Sequence, residues 1–225
     1  MLKWANSQEE VVWLDSNSYP FSTVNYEAIL AVNAFTALKT DAHQAFLKLQ
    51  EYQQTTKDWI FGYLTYDLKN DVERLSSKNH DGLSFPDLYF FQPQKIFLLK
   101  KDTVELHYLS MVDDEMDQDW EDIQQLNIGK AERSITDTLK IESRLTKNEY
   151  VERVEKMLSY IHRGDIYEAN FCQEFYAENA EIDSVDAYLK LNKISKAPFA
   201  AYIKLEDFEL MSASPERYIK KDHQK

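Results

Sequence analysis

The side chains of this sequence that could carry chemistry are one cysteine, five histidines and a large number of carboxylates. Cys172 has no second cysteine to pair with, which excludes an intramolecular disulfide and a zinc site made only of thiolates. The histidines are scattered and contain no His-x-x-x-His pair, so a metallohydrolase is not expected. The four glycines are too far apart to form a loop that holds a phosphate or a dinucleotide.

Two groups of carboxylates stand out by their position. Glu216 is followed by Arg217, and by itself this pair is most simply interpreted as a surface ion pair. Residues 113–122 contain seven acidic side chains, and the segment has two interpretations. It is a solvated acidic helix or linker, which is the favoured interpretation because runs of like charge are usually solvated, or it is a cation site.

The overall composition indicates a folded, acidic protein. The 225 residues include 26 Lys and Arg and 39 Asp and Glu, a formal net charge of −13, with 44% apolar residues to form a core. This charge disfavours binding to nucleic acid or to an anionic membrane surface. No apolar run approaches the ~20 residues needed to span a bilayer, and the N-terminus lacks a secretory signal, so we expect a cytoplasmic protein.

The hydrophobic pattern predicts strands that follow one another rather than alternating with helices. This order favours an α+β fold of mostly antiparallel sheets with flanking helices. Asp41 is predicted to cap a helix, and a second short helix is predicted from Asp183. The predicted strands cover residues 11–14, 28–35, 59–66, 88–91, 95–100, 104–109, 165–177, 199–205 and 208–213.

The clearest helix begins after Thr146. Thr146 and Glu149 have the spacing of a capping box, in which each side chain bonds the backbone N–H of the other residue. Gly164 is predicted to end this helix in the left-handed conformation. Cys172 lies in the predicted strand that follows, and we expect it to be a small core residue.

Three segments of the second half resemble one enzyme family in order and spacing. They are Gly-Asp-Ile-Tyr-Glu-Ala-Asn-Phe-Cys-Gln-Glu-Phe at 164–175, Ala-Pro-Phe-Ala-Ala-Tyr at 197–202, and Met-Ser-Ala-Ser-Pro-Glu-Arg-Tyr at 211–218. These segments are similar to motifs of the chorismate-utilising enzymes, typified by anthranilate synthase component I and aminodeoxychorismate synthase component I. Residues 13–16 and 61–67 of the front half resemble the same family more loosely.

The resemblance implies an organisation in two parts. Residues 1–130 would form an N-terminal subdomain similar to that of anthranilate synthase component I. Residues 146–225 would form the start of the chorismate-binding catalytic domain. By this resemblance, the α+β fold is expected to be similar to the first half of the anthranilate synthase component I fold.

The sequence departs from the family pattern in two ways. Glu168 and Glu174 stand where the family usually has Gln and Arg. The family's Pro-Ile-Lys-Gly-Thr loop, its Glu-His helix and its magnesium-holding acids all follow the third motif, and this chain ends at Lys225 before them. We therefore expect a chain that is inactive alone. The catalytic lysine and the Mg²⁺ ligands of the full-length enzyme would lie outside it, and no metal-binding residue is assigned here.

By resemblance, Glu216 matches the family's proton-donating glutamate. Hydroxide is a poor leaving group, so an acid that protonates the departing 4-hydroxyl of chorismate would accelerate its loss. Ser16, Tyr26, Pro198, Phe199 and Ala200 match or adjoin positions that line the family's tryptophan pocket. The alternative for these five residues is ordinary packing between strands.

The function implied by the resemblance is synthesis of 4-amino-4-deoxychorismate from chorismate and ammonia, in the p-aminobenzoate and folate pathway. The ammonia would come from glutamine through a partner amidotransferase subunit. Asn170 and the segment at 197–201 favour this branch. The alternatives are an anthranilate synthase component I of tryptophan biosynthesis, or a non-catalytic module that binds L-tryptophan or docks the amidotransferase.

Overall fold

The structure, a computed structural model, describes residues 1–19, 26–126 and 139–221. Short 3-10 turns occur at Tyr66–Leu68 and Asp113–Glu115. The helices are α1 Leu2–Ala5, α2 Ala45–Thr56, α3 Lys69–Val72, α4 Met116–Gln125, α5 Lys147–Arg163 and α6 Ser184–Ser195. The strands are β1 Glu10–Asp15, β2 Ala28–Thr40, β3 Phe61–Leu64, β4 Leu88–Leu99, β5 Val104–Tyr108, β6 Glu142–Ser143, β7 Phe175–Tyr176, β8 Phe199–Leu205 and β9 Phe208–Ser214.

Seven of these strands form one antiparallel sheet in the order β3-β4-β2-β1-β8-β9, with β5 also paired to β4. One side of β4 pairs with β2 along its whole length. Its other side pairs with β3 at its first residues and with β5 at its last. The predicted α+β class with mostly antiparallel strands is confirmed. The predicted hairpin at Glu206 and Asp207 is confirmed as the β8–β9 connection.

β4 is longer than the sequence pattern predicts. Residues 88–91 and 95–100 were each expected to be a separate strand, but one strand continues through Pro93. Pro93 lies opposite Ala34, at the point where the β2–β4 register shifts. Proline has no N–H to donate to a neighbouring strand, so an irregular position in the ladder is where it is tolerated.

The two faces of the sheet bury two different apolar clusters, and β1 contributes to both. Val11 and Trp13 pack with residues of α1 and α6 on one face. Val12 packs with Phe61 and Phe91 on the other. Because side chains alternate along a strand, neighbouring residues of β1 face opposite clusters.

The acidic segment at 113–122 is more than a solvated helix. Lys95, whose side chain is 3% exposed, reaches Glu115 at 2.6 Å and Asp119 at 2.5 Å from Nζ to the carboxylate oxygens. The Tyr108 hydroxyl donates to the same Asp119 carboxylate at 3.0 Å. Two acids of α4 and its preceding turn therefore fasten this segment to the sheet, while the other acids remain at the surface.

The predicted cap of α2 is wrong. Asp41 accepts a hydrogen bond from the His43 backbone N–H, and the helix begins only at Ala45. The first N–H groups of α2 are satisfied by Asp71, which accepts from Gln44 and Phe46 at 2.9 and 3.1 Å. A carboxylate distant in sequence thus replaces the local cap, and the local pattern could not reveal this.

Helix α5 forms as predicted, but the segment after it does not. The capping box of Thr146 and Glu149 is present, and Gly164 ends the helix at φ 81°. The predicted strand at 165–177 is limited to Phe175–Tyr176, which pairs with β6. Cys172 is exposed rather than a core residue, because in the described part of the chain the backbone around it belongs to no sheet.

The chain divides into two compact units, Met1–Ile128 with Ser184–Lys225, and Gly129–Asp183. The seven-stranded sheet belongs to the first unit, and α5 with the β6–β7 pair belongs to the second. The division at residues 130 and 146 inferred from the resemblance stays a prediction. In the described ranges, no helix combines the length and apolar character that crossing a membrane requires.

A candidate site at one end of the sheet

Most of the predicted site residues meet at one end of the seven-stranded sheet. Asp15, the last residue of β1, lies opposite Ala28 of β2 and Ala200 of β8. Phe199 at the start of β8 lies opposite Ser214 at the end of β9. Ser16, Tyr26, Pro198 and Glu216 extend from these strand ends, so the second and third motifs and the segment at 13–16 converge. We call this region the strand-end site.

Ser16 joins β1 to the start of β2. Its hydroxyl and its backbone N–H both donate to the Glu27 carbonyl oxygen at 2.8 Å. The Ser16 carbonyl accepts from the Tyr19 N–H at 2.9 Å, which closes a turn. The serine hydroxyl is therefore engaged with the protein backbone, and a ligand here would share it or displace that bond.

Asn17 is a structural residue of the strand-end site that the sequence interpretation missed. Its backbone is left-handed at φ 51°, and its side-chain amide donates to the Ala197 carbonyl at 2.7 Å and to Asn192 Oδ1 at 2.8 Å. Asn192 in turn donates to Asp15 Oδ2 at 3.2 Å. The available signal was the residue type, because asparagine is enriched at left-handed turn positions.

The five residues predicted to line a tryptophan pocket do not all face the same way. Tyr26 packs on the cluster that contains Val12, and the Lys100 Nζ lies 5.5 Å from its ring centroid. Ala200 is buried in the opposite cluster, with Tyr188. Phe199, its neighbour on β8, is half-buried. Because the side chains of Ala200 and Tyr26 lie in clusters on opposite faces of the sheet, only the backbone of Ala200 could line a pocket together with Tyr26. The tryptophan pocket therefore stays a prediction.

Glu216 is exposed just beyond the end of β9. Its backbone is fixed by Ser214, whose hydroxyl donates to the Glu216 carbonyl at 2.9 Å and accepts from its N–H at 3.4 Å. The Arg217 guanidinium lies over the Phe199 ring at 5.0 Å, which ties the third motif to the second. A carboxyl that holds a proton near neutral pH needs a partly desolvated position, so general acid catalysis by Glu216 requires a further surface over it.

The first motif lies in the second compact unit and is described by itself. Glu174, the acidic departure from the family pattern, accepts two hydrogen bonds from Arg144 at 2.8 and 2.9 Å. The Arg144 guanidinium also stacks on the Tyr176 ring at 3.9 Å. Gln173 donates to the Ser143 hydroxyl oxygen at 3.1 Å, whereas Asn170 is exposed. The negative charge introduced at Glu174 is therefore paired within its own unit.

No set of metal ligands is found in the part of the chain that the structure describes. Within residues 1–19, 26–126 and 139–221, no three His, Cys, Asp or Glu side chains converge to hold an ion. Mg²⁺ prefers several oxygen ligands in near-octahedral geometry. The described residues therefore do not fit a magnesium site.

The fold has a solved counterpart. It is similar to anthranilate synthase component I from Streptococcus pneumoniae, with a TM-score of 0.68 over 88% of this chain and 52% of that chain, at 16% sequence identity. Residues 9–225 match the family of chorismate binding enzymes. The chain therefore belongs to that family.

Curated relatives of this chain include component 1 enzymes of both branches. Aminodeoxychorismate synthase component 1 of Escherichia coli (strain K12) is 31% identical over 70% of this chain and 34% of its own length. Anthranilate synthase component 1 of Buchnera aphidicola subsp. Pemphigus spyrothecae is 26% identical over 95% of this chain and 43% of its own length. This chain thus spans between a third and a half of these two relatives.

Proposed function

We propose that this chain is part of an enzyme that makes 4-amino-4-deoxychorismate from chorismate and ammonia. The observation that carries the proposal is the convergence of the second and third family motifs at the strand-end site. The similarity to aminodeoxychorismate synthase component 1 of Escherichia coli supports this branch over the alternative, anthranilate synthesis. This chain is also similar to an anthranilate synthase component 1 over 95% of its length. The experiment therefore has to distinguish anthranilate from 4-amino-4-deoxychorismate as the product.

In this proposal Glu216 donates a proton to the 4-hydroxyl as the C4–O bond breaks, so the oxygen leaves as water. The lone pair of ammonia forms the new C4–N bond, and the nitrogen then loses a proton to give the amine. The exposed position of Glu216 means that the remainder of the catalytic domain has to cover it. The nucleophilic lysine and the Mg²⁺ ligands would belong to that remainder, and the metal would offset the charge of the substrate carboxylate. A glutamine amidotransferase subunit would supply the ammonia. A cytoplasmic location stays a prediction from the sequence.

The test is an assay of the full-length product of the gene with chorismate, ammonium and Mg²⁺, with the products separated by chromatography. We expect 4-amino-4-deoxychorismate, and glutamine should replace ammonium only when the amidotransferase is added. Anthranilate as the product would support the alternative branch. This 225-residue chain, assayed in parallel, should leave chorismate unchanged, and turnover by it would contradict the assignment of the lysine to another segment.

We also propose tryptophan binding at the strand-end site, supported by the meeting of Ser16, Tyr26 and Phe199 at one end of the sheet. An indole needs an apolar slot with one or two polar anchors, and these side chains are of suitable types. Calorimetry with L-tryptophan, with D-tryptophan as the control, tests this. Binding of the L-isomer that is lost in Phe199→Ala supports the pocket, whereas no heat with either isomer leaves ordinary packing as the role of these residues.

A further inference from the structure

The strand β9 forms an open edge of the seven-stranded sheet. It pairs with β8 along Phe208–Ser214, and it is the last strand in the order of the sheet. The two strands are joined by a two-residue turn, so Leu205 and Phe208, which flank the turn, exchange backbone hydrogen bonds. From there, hydrogen-bonded and non-hydrogen-bonded residue pairs alternate along the hairpin.

This alternation directs the backbone groups of every second residue of β9 away from β8. The N–H groups of Leu210 and Ser212 bond to β8, whereas the N–H and C=O groups of Glu209, Met211 and Ala213 point outward. Within the part of the chain that the structure describes, no other group is hydrogen-bonded to these outward N–H and C=O groups. The open edge of β9 therefore presents a regular row of unused donors and acceptors.

The opposite side of the sheet is protected against pairing, whereas β9 is not. β3 and β5 have four and five residues, and between them β4 contains Pro93, which has no N–H, and Gln92, whose N–H donates to the Tyr52 hydroxyl at 3.0 Å. β9 has seven residues without Pro or Lys, in an unbroken register with β8. Its one charged side chain, Glu209, is hydrogen-bonded within the protein. A long, regular edge without protection is suited to receive another strand.

The side chains beside this edge indicate the chemistry of the strand that fits it. Leu210 packs on the cluster that contains Val12, and Met211 packs on the cluster of the opposite face. Both are only partly buried. A strand added to β9 would lie beside apolar side chains on both faces, so it should be apolar on both faces itself. It would also lie next to Glu216, which is exposed just beyond the same strand.

We propose that the open edge of β9 binds an extended, apolar strand from the part of the enzyme that this chain does not contain. This occupant is favoured because the chain spans only 34% and 43% of two relatives, and because the third family motif begins on β9. The added strand bonds the outward groups of Glu209, Met211 and Ala213 and forms part of the surface over Glu216. The inference rests on the proposed function in that the chain is part of a longer enzyme.

Hydrogen exchange resolved by residue tests this in the 225-residue chain and in the full-length product of the gene. In the chain alone, the amides of Met211 and Ala213 should exchange about tenfold faster, or more, than those of Leu210 and Ser212. In the full-length product, all four amides should be protected. Leu210 and Ser212 are the control within the same strand, because their N–H groups bond to β8 in both proteins.

Two proline variants test the same edge through stability. Ser212→Pro removes an N–H that bonds to β8, so it should lower the melting temperature of both proteins. Ala213→Pro removes an N–H that only the added strand would accept, so it should lower the melting temperature much more in the full-length product than in the chain alone. Equal losses for the two variants in the chain alone would contradict the outward direction of the Ala213 N–H.

Rapid exchange of Met211 and Ala213 in the full-length product would overturn the proposal. Protection of these amides in the chain alone would overturn it as well, and protection that rises with protein concentration would identify a second copy as the occupant. The enzyme assay is a separate readout. Formation of 4-amino-4-deoxychorismate while these amides exchange rapidly would overturn this inference and leave the proposed function intact. Protected amides in a full-length product without turnover would support the inference and contradict the proposed function.

Discussion

Single residues at the strand ends decide how the family motifs meet. Asn17 and Asn192 connect the end of β1 to the turn before β8, through bonds of 2.7 to 3.2 Å. Glu216 follows β9 at the same end, held by its backbone while its carboxylate is exposed. The position of the candidate acid is thus set by residues that have no catalytic chemistry of their own.

If Glu216 is the proton donor, removing its proton should slow the reaction without unfolding the chain. We expect Glu216→Gln in the full-length enzyme to lower kcat by about 10²- to 10⁴-fold, the range typical of a lost general acid. The melting temperature should stay unchanged because this side chain is exposed. Glu121→Gln, at an exposed position of α4, is the control. Equal rates for the two variants would contradict the assignment.

Gly62 is required by the close approach of β3 to β4. A Cβ atom at this position would lie 1.9 Å from the Tyr89 carbonyl oxygen and 2.7 Å from the Phe90 Cα. Since both atoms belong to the backbone, Gly62→Ala should cost about 3 kcal/mol of unfolding free energy, measured by urea denaturation. In contrast, Gly164→Ala meets nothing within 4 Å and is strained only by its φ of 81°. It should cost about 1 kcal/mol. If Gly164→Ala lost more unfolding free energy than Gly62→Ala, the strain of a positive φ would matter more than the steric contact between β3 and β4.

Two elements are held by side chains that come from outside them. The Asp71 carboxylate accepts hydrogen bonds from backbone N–H groups at the start of α2, and Lys95 attaches α4 and its preceding turn to β4. The apolar side chains of α4 supply part of this contact, since Ile123 packs on the cluster that contains Phe97. The ion pairs then fix where along the sheet the helix lies.

Lys95→Met should destabilise the first compact unit. The variant leaves Asp119, whose side chain is 14% exposed, without its cation, and breaking such a pair costs ~3 kcal/mol. Lys95→Met combined with Asp119→Leu should recover much of the loss, because no buried charge then remains unpaired. Chemical denaturation of the two variants checks this. A double variant less stable than Lys95→Met would indicate that the carboxylate has a further role.

The same pair predicts a dependence on alkaline pH. Burial acts to lower the pKa of Lys95, and its hydrogen bonds to Asp119 and Glu115 more than reverse this, so its pKa is raised. A pKa that is higher in the folded state adds stability that is complete below the ordinary lysine value of ~10.4 and is lost as the pH rises through the folded value. Melting temperatures measured between pH 8 and pH 12 should therefore fall more steeply above pH ~10.5 in the parent chain than in Lys95→Met. Parallel curves would contradict this.

At the scale of the whole molecule, the sheet unites segments that are distant in sequence. β1 pairs with β2 on one side and with β8, nearly 190 residues later, on the other. The strands β8 and β9 contain two of the three family motifs. Because β8 pairs with β1, the sheet that positions these two motifs includes residues from the front of the chain. In the described structure, α5 buries none of its residues, whereas α6 buries Val185 and Tyr188 against the sheet.

Hydrogen exchange should follow this difference. Amides of β1 and β2 have strand partners on both sides and a core cluster on each face, so they should exchange most slowly. Amides of α6 should exchange more slowly than those of α5, although α5 is the longer helix. Mass spectrometry of the exchanged chain tests this order. Protection of α5 equal to that of α6 would show that a surface covers α5 in solution.

The sequence alone determined the features that depend on neighbours within a few residues. Thr146, Glu149 and Gly164 specify both ends of α5, and Glu206 with Asp207 specifies the β8–β9 hairpin, because capping and turn conformation are local. The order of strands also indicated the antiparallel α+β class. The three motifs were sufficient to indicate the family of chorismate binding enzymes.

Tertiary structure decided what depends on distant partners. Residues 165–174 alternate like a strand but pair with no strand among the residues that the structure describes, and Cys172 is exposed there. Asp71 rather than Asp41 satisfies the start of α2, and Lys95 gives two acids of the 113–122 segment a buried partner. A strand, a remote cap and a buried ion pair each need a second segment of chain, and local sequence does not state which segment folding will bring there.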